Sequence, residues 1–436
     1  VDVSGLALSL ARQRGPLDRE QAALFLARNT NPRHPAVAEL AGLGLTAAPL
    51  EGHRTLNYAA GALHRRGRWL AALFGMPKAG RGLEIYGWMD GNNYGRYARH
   101  GSLLIQGSGE PRDARASGFR EAGWNWCFWP GATSLVRPSH EMYDYYALYG
   151  LGGTALSGGT TLGRNGAWAL DVPGRDVTFR KSAFFFDHRI VLVTTDIASK
   201  SGRPAVTTLF QNSLETTNAP TGINGKGSAK PFQLAVPGAG APSWLFVTQL
   251  TGYVLPAGHP RVQVSRGAQS WTCMFDRHLK DPKDNPLTKQ GTSVRFRHPD
   301  RAQNEAYYLP TTGTFERAWL EHGTDPTNGS CWYTVLVDTT PAAVQAFAAS
   351  LADPARAPVR VLQANRTAHV VVDTAARSVG YAIFDPAGPL PPAGPLVSAS
   401  QPCVAMMQVN TSSAELSLAQ PDPARTQPLL LRLRGA

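Results

Sequence analysis

Apolar residues recur at helical spacing only near the start of the chain. Between about residues 18 and 41, Ala22, Leu26, Val37 and Leu40 lie three or four positions apart within two stretches separated by an Asn-Pro pair. An Asp precedes the first stretch, as is common where a helix begins. This pattern predicts two short helices before about Thr46.

After Thr46 the pattern changes to short apolar or alternating segments bounded by Gly, Pro, Asn and Asp, which is typical of β-strands. The predicted strands include Thr55–Ala62, Trp69–Phe74, Ser102–Ile105, Ser182–Phe186, Ile190–Ile197, Val262–Val264 and Val359–Gln363. The run Phe184-Phe185-Phe186 is continuous rather than alternating, which indicates a strand buried on both faces. Many short strands, with 44 Gly and 33 Pro, predict a mainly β protein built from antiparallel sandwiches.

The length of 436 residues exceeds what one hydrophobic core normally supports, so several domains are expected. We predict a helical segment over 1–45, a large central β-sandwich over 46–325 and a smaller carboxyl-terminal β-sandwich over 326–436. The second boundary is placed in His322–Asn328, because new strands begin at Trp332. The Pro- and Gly-rich stretch Pro386–Pro395 is interpreted as an exposed loop inside the last domain.

The formal net charge is +12, spread along the chain without a long basic run. This distribution favours a broad cationic face that suits a polyanion, although a merely basic protein from a GC-rich genome would look the same. Charge alone does not choose among a sulfated glycan, a nucleic acid and an anionic membrane. No apolar run approaches the length of a membrane span, so no membrane partner is expected.

The residues that often mark cofactor or hydrolase chemistry do not form its patterns. Cys127, Cys273, Cys331 and Cys403 are far apart and make no zinc or redox motif, while two disulfides remain possible without an assignable pairing. The histidines show no metal-binding spacing, so no cofactor is predicted, although an assisting divalent cation stays open. No G-x-S-x-G elbow is present, and the glycines of 152–159 are interpreted as loops between strands rather than a nucleotide site.

Several motifs, in chain order, resemble a known family. The most specific are Leu83-Glu84-Ile85-Tyr86 and Asn92-Asn93-Tyr94-Gly95-Arg96-Tyr97. Further matching stretches are Leu63–Leu70, Gly123–Thr133, Arg180–Asp187, Thr207–Gln211, His322–Asn328, Val361–Gln363 and Gly380–Phe384. Together they resemble the β-rich half of polysaccharide lyase family 8, and within it the chondroitin ABC lyase branch.

The resemblance implies an enzyme that cleaves uronate-containing glycosaminoglycans, such as chondroitin sulfate, dermatan sulfate or hyaluronan, by β-elimination. It also implies a large helical toroid carrying the catalytic Tyr and His, to which only the residues before Thr46 could correspond. We therefore expect a fragment, a nicked subunit, or a protein whose toroid is a separate chain. Because the chain opens at Val1 rather than Met, a processed or excised chain is favoured, and the expected location is secreted or periplasmic.

The resemblance also assigns candidate site residues. Glu84 matches a carboxylate that orients an arginine of the toroid, and Arg12 or Arg14 could match that arginine. Aromatic rings stack on sugar faces, while amides and guanidinium groups hold carboxylate or sulfate. The predicted substrate-binding residues are Tyr86, Trp88, Asn92, Asn93, Arg96, Tyr97, Arg99, His100 and Trp126. Glu84 as a plain surface carboxylate, and Trp126 as sandwich core, remain open.

Three other functions remain as alternatives. One is a lyase of the same family acting on xanthan or another uronate glycan, which would differ in whether the 84–100 loop binds sulfate. Another is a non-catalytic carbohydrate-binding module. A nucleic-acid binder is the weakest, because the aromatics lack the patterns of common nucleic-acid-binding folds.

Overall fold

The computed structural model describes residues 3–12, 16–28, 34–45, 51–77, 94–107, 114–142, 156–174, 176–238, 240–281, 283, 300–353, 355–410, 412–422 and 424–434. The chain divides into two compact units, Val1–Glu51 and Gly52–Ala436. The mainly β fold class is confirmed, with antiparallel sheets throughout the second unit.

The first unit contains three helices where the sequence predicted two: α1 (Val3–Arg12), α2 (Pro16–Arg28) and α3 (Pro35–Gly42). They bury a small core of mostly alanine and leucine side chains, including Ala7 and Leu40. The α1 helix was missed because its buried face is built largely from alanines, which give a weak apolar signal.

The second unit contains most of the secondary structure. Its strands are β1 (Gly52–Leu56), β2 (Gly61–Arg66), β3 (Trp69–Phe74), β4 (Ser102–Gln106), β5 (Thr133–Leu135), β6 (Ser157–Leu162), β7 (Asn165–Val172), β8 (Val177–Phe186), β9 (Arg189–Ser199), β10 (Pro204–Ser213), β11 (Thr221–Ile223), β12 (Lys226–Ser228), β13 (Phe232–Val236), β14 (Ser243–Val247), β15 (Thr251–Leu255), β16 (Val262–Thr272), β17 (Pro310–Thr324), β18 (Gly329–Val337), β19 (Val359–Ala364), β20 (Ala368–Asp373), β21 (Ser378–Ile383), β22 (Leu396–Ala399), β23 (Cys403–Val409), β24 (Ala414–Ala419) and β25 (Leu431–Leu433). Its helices are α4 (Ala114–Ser117), α5 (Ser139–Met142), α6 (Arg301–Glu305) and α7 (Pro341–Ser350), with 3₁₀ turns at Asn57–Ala59, Gly95–Tyr97 and Asp276–His278.

The strands form three large sheets and two smaller ones. A nine-stranded sheet has the order β12-β11-β14-β15-β18-β9-β8-β7-β6, and a five-stranded sheet has the order β13-β16-β17-β10-β5. A second five-stranded sheet, β19-β20-β21-β23-β24, is the carboxyl-terminal sheet. The remaining strands form β1-β2-β3-β4 and β22-β25.

The nine-stranded sheet is covered on both faces. Phe185 belongs to the large core shared with the first five-stranded sheet. Phe184 and Phe186 belong instead to a core shared with the carboxyl-terminal sheet, where they meet residues such as Val371 and Met406. This arrangement explains the unbroken Phe run, because successive side chains of a strand point to opposite faces and both faces are buried here.

The structure places the second sandwich later than expected. β18 lies between β15 and β9 in the nine-stranded sheet, so residues after 325 still belong to the central sandwich. The carboxyl-terminal sheet begins at Val359. Between them lies α7, a helix that the sequence analysis missed, capped by the Thr340 hydroxyl, which accepts from the Ala343 amide.

Among the other local predictions, some strand positions are confirmed and others are wrong. Trp69–Phe74 coincides with β3, whereas Thr55–Ala62 crosses the turn between β1 and β2. Gly158 and Gly159, expected in a loop, lie in β6, where a side chain on Gly159 would collide with the Ala167 carbonyl oxygen. All four cysteines are buried and free, so none of the possible disulfides forms. Among the described helices, none is long and apolar enough to cross a bilayer.

Candidate functional site

The candidate site is the segment Tyr94–His100, which enters the described structure directly after residues 78–93. Five predicted site residues, Glu84, Tyr86, Trp88, Asn92 and Asn93, lie outside the described residues.

Three buried rings anchor this segment to the central sandwich. The Tyr94 hydroxyl accepts a hydrogen bond from the Met274 amide at 2.8 Å. The Tyr97 hydroxyl accepts from Arg137 Nε at 3.2 Å. His100 Nδ1 donates to the Thr133 carbonyl of β5 at 2.9 Å. These three hydrogen bonds thus hold in place the backbone that carries Arg96 and Arg99.

Burial gives Tyr97, His100 and Trp126 a packing role. They are 1, 5 and 6 % exposed, so a saccharide cannot reach their rings in this structure. This corrects the expectation of sugar contact for these three positions. Trp126 lies within a cluster of aromatic rings that includes Trp129 and Phe119, so it belongs to the core of the central sandwich.

Burial also moves the pKa values of Tyr97 and His100 further from neutral pH. Desolvation raises the pKa of Tyr97 to about 12, against the opposing effect of Arg137. Desolvation lowers the pKa of His100 to about 4, so its ring is neutral at pH 7. Neither group is suited to donate or accept a proton in catalysis near neutral pH.

Arg96 lies in a row of alternating charges. It is 3.4 Å from the Asp176 carboxylate, which also lies 3.3 Å from Arg137. Arg137 continues to Glu141 at 3.3 Å, and Glu141 pairs in turn with Arg203. The guanidinium groups of Arg96, Arg137 and Arg203 and the carboxylates of Asp176 and Glu141 therefore form one connected network of ion pairs at this end of the sandwich.

Arg99 occupies a separate position on the same segment. Its guanidinium lies 5.9 Å from the centroid of the Phe74 ring and donates to the Ala59 carbonyl at 3.4 Å. Partial burial lowers its pKa from the ordinary value, which for a guanidinium leaves it charged at neutral pH. Arg99 thus places a cation beside the turn that joins β1 and β2.

That turn presents a residue that the sequence analysis did not single out. Tyr58 is 90 % exposed on the 3₁₀ turn Asn57–Ala59. The turn is firmly held, because Asn57 Oδ1 accepts from the Gly159 amide at 2.8 Å and the Ala60 carbonyl accepts from Trp168 Nε1 at 3.0 Å. The Asn at 57 and Gly at 61 signal a turn, and that signal would have placed Tyr58 at its tip.

Arg12, the predicted partner of Glu84, belongs to the amino-terminal unit. It is the last residue of α1, is exposed, and forms an ion pair with Glu39 of α3. Its assignment to the site stays a prediction.

The described part of the site combines two guanidinium groups with an exposed aromatic ring. Arg96 and Arg99 supply cations on an anchored segment, and Tyr58 supplies an exposed ring near Arg99. No group of three or more metal-ligating side chains occurs among the described residues. This arrangement suits a carboxylate or sulfate ester on a sugar.

Comparisons with known proteins place the chain in a family. Residues 51–348 match the profile described as polysaccharide lyase family 8, super-sandwich domain. The chain is 26 % identical over 394 residues to the chondroitin sulfate ABC endolyase of Proteus vulgaris, covering 87 % of this chain and 34 % of that protein. It is also 26 % identical over 426 residues to the chondroitin sulfate ABC exolyase of Bacteroides thetaiotaomicron, covering 93 % and 37 %. The chain thus spans about a third of the length of these curated relatives.

Solved structures share the fold. The xanthan lyase of Paenibacillus superposes with a TM-score of 0.71 at 19 % identity, covering 96 % of this chain and 38 % of that one. The chondroitin AC lyase of Streptomyces coelicolor A3, solved with chondroitin sulphate, superposes with a TM-score of 0.67 at 20 % identity, covering 96 % and 51 %. The architecture of this chain is therefore one that these solved proteins also have.

Proposed function

This chain belongs to polysaccharide lyase family 8, and from that premise we propose that it forms the β-sandwich part of an enzyme that cleaves uronate-containing glycosaminoglycans by β-elimination. The observation that carries the proposal is the similarity to chondroitin ABC lyases across 87 % or more of the chain. The proposed substrates are chondroitin sulfate, dermatan sulfate and hyaluronan. Because these polymers are extracellular, the proposed place of action is outside the cytoplasm.

β-Elimination requires removal of the C5 proton of a uronate, which its own carboxylate opposes. An enzyme must neutralise that carboxylate, place a base at C5 and protonate the leaving O4. In our proposal Arg96 and Arg99 bind acidic groups of the polymer, and Tyr58 stacks on a sugar ring. Glu84 orients the arginine that stabilises the developing charge, and Arg12 is the candidate for that arginine.

Proton transfer is proposed to need groups beyond this chain. The family resemblance places the catalytic Tyr and His in a helical toroid, and Tyr94, Tyr97 and His100 are here buried framework residues. We therefore expect the purified 436-residue chain to form no unsaturated uronate, measured by its short-wavelength ultraviolet absorbance. Robust product formation would contradict the assignment of the acid and base to a separate helical part.

The role of Glu84 is tested by Glu84→Gln in the complete enzyme. The substitution keeps the size of the side chain, so stability should change by only about 0.5 kcal/mol. Loss of a preorganised electrostatic partner should lower kcat on the order of a hundredfold or more, with a smaller change in KM.

The control is Glu415→Gln, which removes an exposed carboxylate from β24 of the carboxyl-terminal sheet. It should change neither kcat nor the melting temperature. An unchanged kcat in Glu84→Gln would remove Glu84 from the site, and a collapsed melting temperature would make it a structural residue.

A second candidate substrate is xanthan. The chain is 29 % identical over 203 residues to the xanthan lyase of Bacillus sp. (strain GL1), covering 44 % of this chain and 19 % of that protein. Turnover by the complete enzyme should be compared on chondroitin sulfate, hyaluronan and xanthan at equal uronate concentration. The polymer that is cleaved fastest shows whether the substrate is a glycosaminoglycan or xanthan. If the complete enzyme binds these polymers and cleaves none of them, the chain is a carbohydrate-binding module.

A further inference from the structure

A groove lies at the open edge of the central sandwich, between strands of its two facing sheets. On one side is the β11–β12 hairpin, at the edge of the nine-stranded sheet, and on the other is β13, at the edge of the five-stranded sheet. The space between them, which we call the edge groove, has a volume of about 500 Å³. That volume is in the range of small-molecule binding sites.

The edge groove is remote from the candidate site described above. In the five-stranded sheet β13 and β5 occupy opposite edges, and β5 carries the Thr133 carbonyl that anchors His100. Four strand spacings separate them, which is about 19 Å. A ligand in the edge groove therefore does not contact the Tyr94–His100 segment through the β5 edge.

The floor of the edge groove is apolar. Phe232, Leu234 and Val236 alternate along β13 and share one face, with Ile223 of β11 also lining the groove. Leu234 is 47 % exposed and Phe232 is half-buried. The groove therefore offers a ring and aliphatic surface of the kind on which the C–H face of a sugar packs.

The rim is polar and cationic. Asn224, Lys226 and Gln233 are all exposed, and none of the residues that line the groove carries a carboxylate. Lys226 can donate to a carboxylate or sulfate, and the two amides can donate to and accept from hydroxyl groups. The charge of the lining selects an acidic ligand over a basic one.

The walls are held in place by buried hydrogen bonds. Arg266, 5 % exposed, donates to the Ala229 carbonyl at 3.1 Å and to Thr221 Oγ1 at 3.0 Å. Asn224 Oδ1 accepts from the Trp244 amide at 2.7 Å, which fixes the tip of the hairpin. A ligand therefore does not have to order the groove, which favours binding.

We propose that the edge groove is an accessory binding site for an acidic oligosaccharide, distinct from the site of cleavage. A sugar ring packs on Phe232 and Leu234, and Lys226 pairs with its carboxylate or sulfate. The identity of the glycan rests on the proposed function. A second contact along one polymer raises the local concentration of substrate at the first, without adding chemistry.

The test measures binding of an end-labelled chondroitin sulfate oligosaccharide to the full chain by fluorescence anisotropy, at low salt and at physiological salt. Lys226→Glu should raise the Kd about fivefold or more, because it replaces attraction by repulsion at the rim. Leu234→Ser, which removes an exposed side chain, should also weaken binding. Melting temperatures of both variants establish that they are folded.

The matched control is Lys200→Glu, which makes the same charge change at an exposed position after β9 that does not line the groove. Its Kd should change less than about twofold. Equal weakening by both charge reversals would overturn the groove in favour of diffuse attraction by the basic chain. Concentration-dependent dimerisation abolished by Leu234→Ser, with unchanged glycan affinity, would assign the groove to pairing of two copies through β13.

Failure of this proposal and failure of the proposed function give different results. If the wild-type chain binds chondroitin sulfate and Lys226→Glu binds it equally well, only the groove proposal falls. If the wild-type chain binds no acidic glycan while the complete enzyme cleaves chondroitin sulfate, the groove proposal falls and the lyase proposal stands. If Lys226→Glu weakens binding while the complete enzyme cleaves no uronate polymer, the groove stands and the lyase proposal falls.

Discussion

At the scale of single residues, buried histidines link stability to pH. His369 is fully buried between Ser182 Oγ, 2.8 Å from Nδ1, and Thr195 Oγ1, 3.0 Å from Nε2. Desolvation, with a smaller effect of Arg180, lowers the pKa of His369 to about 3. Between pH 6.5 and about 3 the unfolded chain binds a proton that the folded chain does not. The contribution of His369 to the free energy of unfolding should therefore decrease by up to about 1.4 kcal/mol for each unit by which the pH is lowered in this range.

We expect the free energy of unfolding of His369→Gln to depend less steeply on pH below 6.5. The difference in bound protons between its unfolded and folded states should be smaller by up to one, measured by urea unfolding between pH 7.5 and 4.5. The other buried histidines will keep some acid sensitivity. Ser182→Ala is the control, because it removes one hydrogen bond of His369 and retains the titrating ring, so its slope should stay near that of the wild type. Parallel curves for wild type and His369→Gln would show that His369 is not responsible.

At the scale of elements, α7 packs very close to the nine-stranded sheet. A Cβ on Gly252 of β15 would lie 2.2 Å from Val344 Cγ2 of α7. We expect Gly252→Ala to destabilise the protein by about 1–3 kcal/mol, because the helix must move or the valine must leave its rotamer. Thermal and urea unfolding measure the change.

The double variant Gly252→Ala with Val344→Ala should lose less free energy of unfolding than the two single variants lose together, because the clash is absent when both changes are made. Gly222→Ala on β11 of the same sheet is the control, because its Cβ would meet its nearest atom at an ordinary 3.5 Å. Strict additivity of the two changes would mean that helix and strand are not coupled at this contact.

At the scale of the whole molecule, the carboxyl-terminal sheet covers a face that cannot be left in water. Phe184 and Phe186 pack beneath it, and Arg189 makes a two-pronged contact with the buried Asp373 at 2.6 and 3.1 Å. A chain ending at Ser350 should therefore lose cooperative unfolding and bind a hydrophobic dye, since each exposed phenylalanine costs about 1.5–3 kcal/mol.

The full chain should unfold its nine-stranded and carboxyl-terminal sheets in one transition, measured by calorimetry and tryptophan fluorescence together. Asp373→Asn is the milder comparison, because it leaves the sheet in place and removes the charge that pairs with Arg189. A truncated chain with native melting behaviour would show that the central sandwich folds independently of the carboxyl-terminal sheet.

Local pattern was sufficient for much of the fold. Strands such as Trp69–Phe74 could be predicted because alternation and turn residues report burial and chain reversal within a few positions. The run Phe184-Phe185-Phe186 predicted burial on both faces, and the structure confirms it. The motif order also identified the family, since it samples the whole chain rather than one site.

The sequence by itself thus determined the mainly β class, many strand positions and the family. Only the tertiary structure decided which sheet β18 joins, and that Tyr97 and Trp126 face the core while Tyr58 faces solvent. The physical reason is distance along the chain. Whether a polar or aromatic side chain is exposed depends on partners such as Arg137 or Met274, which lie 40 to 180 residues from the rings they hold, and no local pattern of hydrophobic and polar positions records them.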